Sequence, residues 1–158
     1  MIYEQAAETA LRAALAAASL DGTDADGNAY TVALRCALID DDADALRDEA
    51  AFPVVGMSAD IAFSQEEDGR CPWTVPVEIV VATINSDDPK RQTVVTIYEA
   101  ARNAIEKVLA SDWTSYNPSG YAVDSVIVQQ GGEITTTDEG TRLNLFAFAV
   151  NVNLHEVT

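Results

Sequence analysis

The chain has 158 residues, 26 of them acidic and 9 basic, for a formal net charge of −17 and a pI near 4.1. That balance argues against direct binding to nucleic acid or to an anionic membrane, because both require clustered Lys and Arg and this chain has only two lysines, Lys90 and Lys107. With 48% hydrophobic residues, disorder is excluded as well, and a chain of this length buries roughly 68–70% of its unfolded surface without help from metals or disulfides. One domain spanning 1–158 is expected.

The N-terminal segment MIYEQAAETALRAALAAASL carries Glu4 and Glu8 early and has no basic leader, so it reads as a helix over 3–20 rather than a signal peptide. Leu11 and Leu15 share a face with Ala7, Ala10, Ala14 and Ala18, whose small side chains permit close approach of a neighbour. The tract 21–28, DGTDADGN, ends the helix with turn residues. Residues 30–38 alternate, with Tyr30, Val32, Leu34, Cys36 and Leu38 on one side, and predict a strand. A short helix follows at 42–51, capped by Asp42 and stopped by Pro53. The strand expected at 53–63 puts Val55, Met57, Ala59, Ile61 and Phe63 on one face.

A polar loop over 64–72 leads to a strand at 74–84, antiparallel to the one before. Pro76 cannot donate to a ladder, which places the first half of that strand at an edge or an opening; its second half is apolar on both faces. The turn from Asn85 to Lys90 offers Asp87 or Asp88 as a cap and Pro89 at the first helical position. The helix that follows lines Val94, Ile97, Ala101, Ile105, Val108 and Leu109 along one face. A strand at 121–129, a turn beginning at Gly131-Gly132 and a long strand at 141–154 complete the chain. The apolar phase of that last strand shifts between Leu143/Leu145 and Phe146/Phe148, which requires a bulge or packing on both faces. The expected class is α+β: a mainly antiparallel sheet with both helices on one face, in the order α-β-(α)-β-β-α-β-β.

Chemistry is sparse. Cys36 and Cys71 have no CxxC partner and read as reduced thiols. The one histidine, His155, is near the C-terminal end, where fraying gives a general base no fixed geometry. No nucleophile elbow, phosphate loop or dinucleotide fingerprint occurs. Aligning Gly27 with the central glycine of a calcium loop puts Gly22 and Ala33 where oxygen ligands belong, so that match fails. No catalytic residue, metal or cofactor is expected. Trp73 and Trp113 read as packed aromatics. The acids cluster in loops (Asp21, Asp24 and Asp26; Asp40, Asp41 and Asp42; Glu66, Glu67 and Asp68; Asp87 and Asp88), as solvated, solubilising turns do.

Several stretches carry a family resemblance: Phe52-Pro-Val-Val entering a strand, VEIVVATIN, an Asp-rich turn, the helix Asp88-Pro…Ile97-Tyr-Glu-Ala-Ala-Arg, and Arg142 entering the last strand. Over 1–20 and 52–154 the chain resembles the tail terminator (tail completion) proteins of long-tailed bacteriophages and phage-tail-like particles. The segment 21–51 is longer and more acidic than that pattern. The resemblance implies a structural virion protein, not an enzyme. Such a protein forms a homo-oligomeric ring, commonly a hexamer, that caps the tail tube, ends its polymerisation and joins the tail to the head-side connector. Its place is the tail–neck junction, assembled in the host cytoplasm, with DNA passing through unbound and no membrane partner. A ring of such acidic copies would repel passing DNA within the ~8 Å screening length of physiological salt.

The residues expected at a neighbour or the lumen are Glu66, Glu67, Asp68, Arg70, Pro76, Asp87, Asp88 and Arg142. The alternatives are another neck or tube-like subunit and, in a different class, an acidic DNA mimic. A mimic needs acids spaced along helices or strands like phosphates, whereas these gather in turns. An Asp-rich, Lys-poor composition also follows from a halophilic origin alone.

Overall fold

The two longest strands, Trp73–Ile84 and Leu143–Glu156, pair with each other at the centre of the sheet, from Trp73 opposite Leu154 to Ile84 opposite Leu143. The computed structural model describes residues 1–40, 52–64, 72–108, 110–129, 131–134 and 143–157. The expected helix at 42–51 lies outside them. Two helices, α1 (Tyr3–Ala18) and α2 (Gln92–Glu106), combine with a mostly antiparallel sheet, so the class is α+β. The strands are β1 (Gly22–Thr23), β2 (Ala29–Tyr30), β3 (Ala33–Cys36), β4 (Val54–Ala59), β5 (Phe63–Ser64), β6 (Trp73–Ile84), β7 (Tyr121–Val128), β8 (Gly132–Ile134) and β9 (Leu143–Glu156); a 3-10 helix covers Ala110–Tyr116.

The main sheet runs β3-β4-β6-β9-β7, with β5 continuing β4 along one side of β6 and β8 continuing β7 along one side of β9. β1 and β2 form a separate small hairpin. All pairings are antiparallel except β3 with β4, which is parallel. Parallel neighbours need a long crossover, and the connection from 37 to 53 supplies one. The expected strand at 30–38 is correspondingly shorter: β2 belongs to the hairpin, β3 ends at Cys36, and 37–40 is a turn.

Register assigns the two faces. Val75, Val77, Ile79 and Val81 of β6 stand beside Val152, Val150, Phe148 and Phe146 of β9. They form one core with Leu11 and Leu15 of α1 and Val94, Ile97, Ala101 and Ile105 of α2. This register answers the phase shift expected in the last strand. β9 pairs with β6 from Leu154 to Leu143 without a slip, so it carries no bulge against β6. Its outward face is apolar at Leu143, Leu145, Ala147 and Ala149, then polar at Asn151, Asn153 and His155. Its inward face stays apolar except at its two ends, Asn144 and Glu156. The irregularity lies across the ladder, in β7 between Val123 and Ser125. Gly131-Gly132 is likewise more than a turn. A side chain at Gly131 would collide with the Ala147 carbonyl and Phe148, so only glycine lets the chain cross to β8, which Gly132 begins.

Pro76 is in the interior of the sheet, not at an edge, because β6 has β9 on one side and β4 and β5 on the other. Its carbonyl accepts from the Asp60 amide at 2.8 Å, but it has no N–H to return. The neighbouring strand breaks at that point: β4 ends at Ala59, opposite Val77, and pairing resumes with Phe63 opposite Thr74. The missing donor thus makes an opening within the sheet.

α1 is fastened over the β3–β4 end of the sheet by a row of side chains spaced four apart, on one helical face. Glu4 accepts from the Ala62 amide at 2.9 Å. Glu8, fully buried, accepts from the Leu38 and Ile39 amides with one oxygen and from the Ala59 amide with the other, at 3.0, 3.3 and 2.9 Å. Arg12 holds both oxygens of Asp40 at 3.0 and 3.2 Å, and Asp40 also accepts from the Cys36 amide at 2.7 Å. Burial pushes the Cys36 thiol up to about 12 against the opposing pull of Arg12, so it is an inert core group.

Replacing Glu8 with Ala strands three part-buried amides, each costing about 1–3 kcal/mol. A loss of roughly 3 kcal/mol or more is therefore expected in urea unfolding, and a loss under about 1 kcal/mol contradicts the clamp. Asp40 gives a pH test. Partial burial alone would raise its pKa, but the Cys36 amide and Arg12 outweigh that and hold it below the ordinary carboxylate value. A depressed folded pKa contributes stability that is present above the unfolded pKa and lost as pH falls through the folded one. The acid limb of the urea midpoint against pH should accordingly flatten in Asp40→Asn.

Candidate functional site

The strands and helices leave the sheet with two unlike ends. At one end are the β1–β2 hairpin and the turn between β6 and α2, where sequence reasoning put Asp87 and Asp88. The hairpin tip is shaped by Asp24, whose carboxylate accepts from the Asp26 and Asn28 amides at 3.0 and 2.9 Å, with Gly27 at φ +85°. Asp21 holds the exit of the hairpin by accepting from the Val32 amide at 2.8 Å. These oxygens are turned to backbone donors, and no cluster of three or more metal-ligating side chains occurs among the described residues.

α2 begins later than expected. Its first residue is Gln92, after Arg91 in a left-handed conformation at φ 57°, so Pro89 lies before the helix and not at its first position. Asp88 nevertheless does the capping. It reaches forward to accept from the Thr93 and Val94 amides at 3.1 and 3.0 Å, and it also accepts from the Thr83 hydroxyl at 2.9 Å. Asn144 of β9 donates to the Asp88 carbonyl at 2.8 Å and to Thr83 at 3.2 Å, and accepts from Asn85. This polar knot ties the ends of β6 and β9 to the start of α2. Asp88 is only 6% exposed, its oxygens turned into this knot, whereas its neighbour Asp87 is exposed.

Between hairpin and helix runs an open groove of about 570 Å³, lined by Thr23, Asp24, Tyr30, Lys90, Arg91 and Thr96 among others. A smaller recess of about 160 Å³ adjoins it, sharing Asp24, Tyr30 and Thr93 and reaching Phe52, Asp87 and Asp88. The groove sets hydroxyls, the Gln92 amide and both signs of charge among apolar surface from Ala25, Tyr30 and Val95.

The remaining candidates separate. Pro76 lies toward the opposite end of β6. Glu66, Glu67, Asp68, Arg70 and Arg142 are outside the described residues, as is Cys71. His155 is not on a frayed end: it pairs with Ala122 within β9, and its Nδ1 is 2.9 Å from Asp124 Oδ2. Both side chains are more than two-fifths exposed, which makes this a surface pair of little energetic weight. Trp113 is buried against Tyr116, and Trp73 is half-buried and stacked on Tyr3 at 5.0 Å. Among the described residues no helix is long and apolar enough to cross a membrane. Neither a scan against protein-family models nor a search of curated proteins gives a match.

The two aspartates of the turn should respond oppositely to truncation. Asp88→Ala should cost about 2 kcal/mol or more, since it removes a cap and strands buried donors. Asp87→Ala should stay within about 0.5 kcal/mol of wild type by thermal or urea unfolding.

Proposed function

We propose that this chain is a ring-forming structural subunit of the tail terminator kind, not an enzyme. In this reading the ring, hexameric in the simplest case, caps a tail tube, ends its polymerisation and meets a head-side connector at the tail–neck junction of the virion. Its partners are further copies of itself, the tube protein and the connector protein, with DNA passing through the ring without specific contacts. The observation that carries the reading is the open sheet. Its helices cover one face and its two outer strands, β3 and β7, differ from each other. Two unlike edges on opposite sides of a subunit suit head-to-tail contacts, which close into a ring when the rotation allows.

The outer edge of β7 supports the same reading. Near its start, Asn117 and Pro118 occupy the outward amides of Val123 and Tyr121. Beyond the irregularity at Asp124 no described strand pairs with the outer edge, and Ile127 is 55% exposed. Natural sheets rarely leave a bare edge unless something pairs with it. Against the DNA-mimic alternative stands the use of the acids. Asp21, Asp24, Asp40 and Asp88 bind backbone amides of their own chain and so present no phosphate-like array.

Native mass spectrometry and negative-stain microscopy test the reading. Closed rings are expected from the purified protein, and Ile127→Lys should return monomers that melt as wild type does. A strict monomer at every accessible concentration overturns it.

A further inference from the structure

The end of the sheet opposite the groove is apolar where the rest of the surface is acidic. It gathers the N-terminus of α1, the C-terminal ends of β3 and β4, β5 and the start of β6. Of the large apolar side chains that stand exposed among the described residues, all but Ile127 are at this end, and Ile2, Leu38, Ile61 and Phe63 are exposed by 54%, 40%, 79% and 46%. They surround a common framework. Ala62 is bonded to Glu4, the Leu38 and Ala59 amides share the Glu8 carboxylate, and Phe63 and Ser64 pair with Thr74 and Trp73. Ile61 lies in the break of the ladder beside Pro76, between the Asp60 amide that still bonds the Pro76 carbonyl and the pairing that resumes at Phe63. Single exposed apolar residues are ordinary, but a group of them at one end is not.

We infer that this end is a docking surface for a protein partner whose apolar contact area is rimmed by Lys and Arg. The argument for that occupant is charge. Among the described residues the carboxylates at this end are Glu4 within the patch, Asp60 beside Ile61 and Glu156 at the end of β9, while the cation of Arg12 is matched by its partner Asp40. A second copy docked through the same end would bring these local acids against each other, and nucleic acid or an anionic lipid surface would be repelled in the same way. A basic rim turns that repulsion into attraction and steers the apolar residues into place. This inference stands on the apolar end alone and does not need the chain to form a ring.

The probe is a synthetic amphipathic helix of leucine and lysine only, with a leucine–glutamate helix as its counterpart, titrated against the full chain by fluorescence anisotropy. Saturable one-to-one binding is expected for the lysine helix and none for the glutamate helix. Ile61→Asp and Phe63→Asp should each weaken binding by about tenfold, while Ala100→Asp, on the exposed face of α2, should not. Both patch variants add negative charge, so simple attraction to an acidic chain would strengthen their binding. Circular dichroism checks that the variants are folded. Equal binding by all three variants overturns the inference, as does absence of binding by the wild type. A concentration-dependent dimer dissolved by Phe63→Asp also overturns it, because a second copy would then occupy this end.

Discussion

One buried carboxylate holds the layers of this protein in their relative positions. Glu8 is on the apolar face of α1, between Ala7 and the Leu11–Leu15 pair, and satisfies amides from the turn after β3 and from the last residue of β4. A charge at that depth is tolerated only when its oxygens are fully hydrogen-bonded, and here the backbone supplies the donors. The same bonds dictate where the helix crosses, because β3 and β4 run parallel and both end beneath Glu8. Glu4 and Arg12, one turn to either side, extend the fastening to 62 and 40.

The placement of Glu8 also recasts the acidity. A net charge of −17 reads most simply as solvated loops, yet Glu4, Glu8, Asp21, Asp24, Asp40 and Asp88 all accept hydrogen bonds from backbone amides. Carboxylates serve here where other proteins use Ser, Thr or Asn to cap turns and helix starts. These six acids are therefore part of the scaffold. What remains outward at the hairpin end is a groove with mixed charge, and what remains outward at the other end is apolar.

The features legible in the sequence are those whose physics is local. Alternation fixed β6 and β9, helical spacing fixed the buried stripe Val94–Ile97–Ala101–Ile105, and the acidic turn announced a cap, although Arg91 delays the helix to Gln92. The illegible parts depend on residues distant in the chain. Glu8 could have been flagged as an acid on an apolar face, but nothing local says that its partners are at 38, 39 and 59. The parallel β3–β4 pair depends on a crossover, and the opening at Pro76 on which strand lies beside it. Of the expected interface residues, the structure separates buried Asp88 from exposed Asp87 and moves Pro76 to the interior. The phase shift in β9 was visible as a pattern but took the register to explain, as a change in what the outward face meets.

The proposed assembly subunit rests on three elements: an open sheet with two different edges, a polar knot behind the groove, and an apolar surface at the far end. The most direct test of the proposed role is to add the purified chain to growing tail tubes and to measure tube lengths by electron microscopy. The account predicts that elongation stops and that a ring is seen at one end of each tube. Tubes that grow to unchanged lengths with bare ends would contradict it.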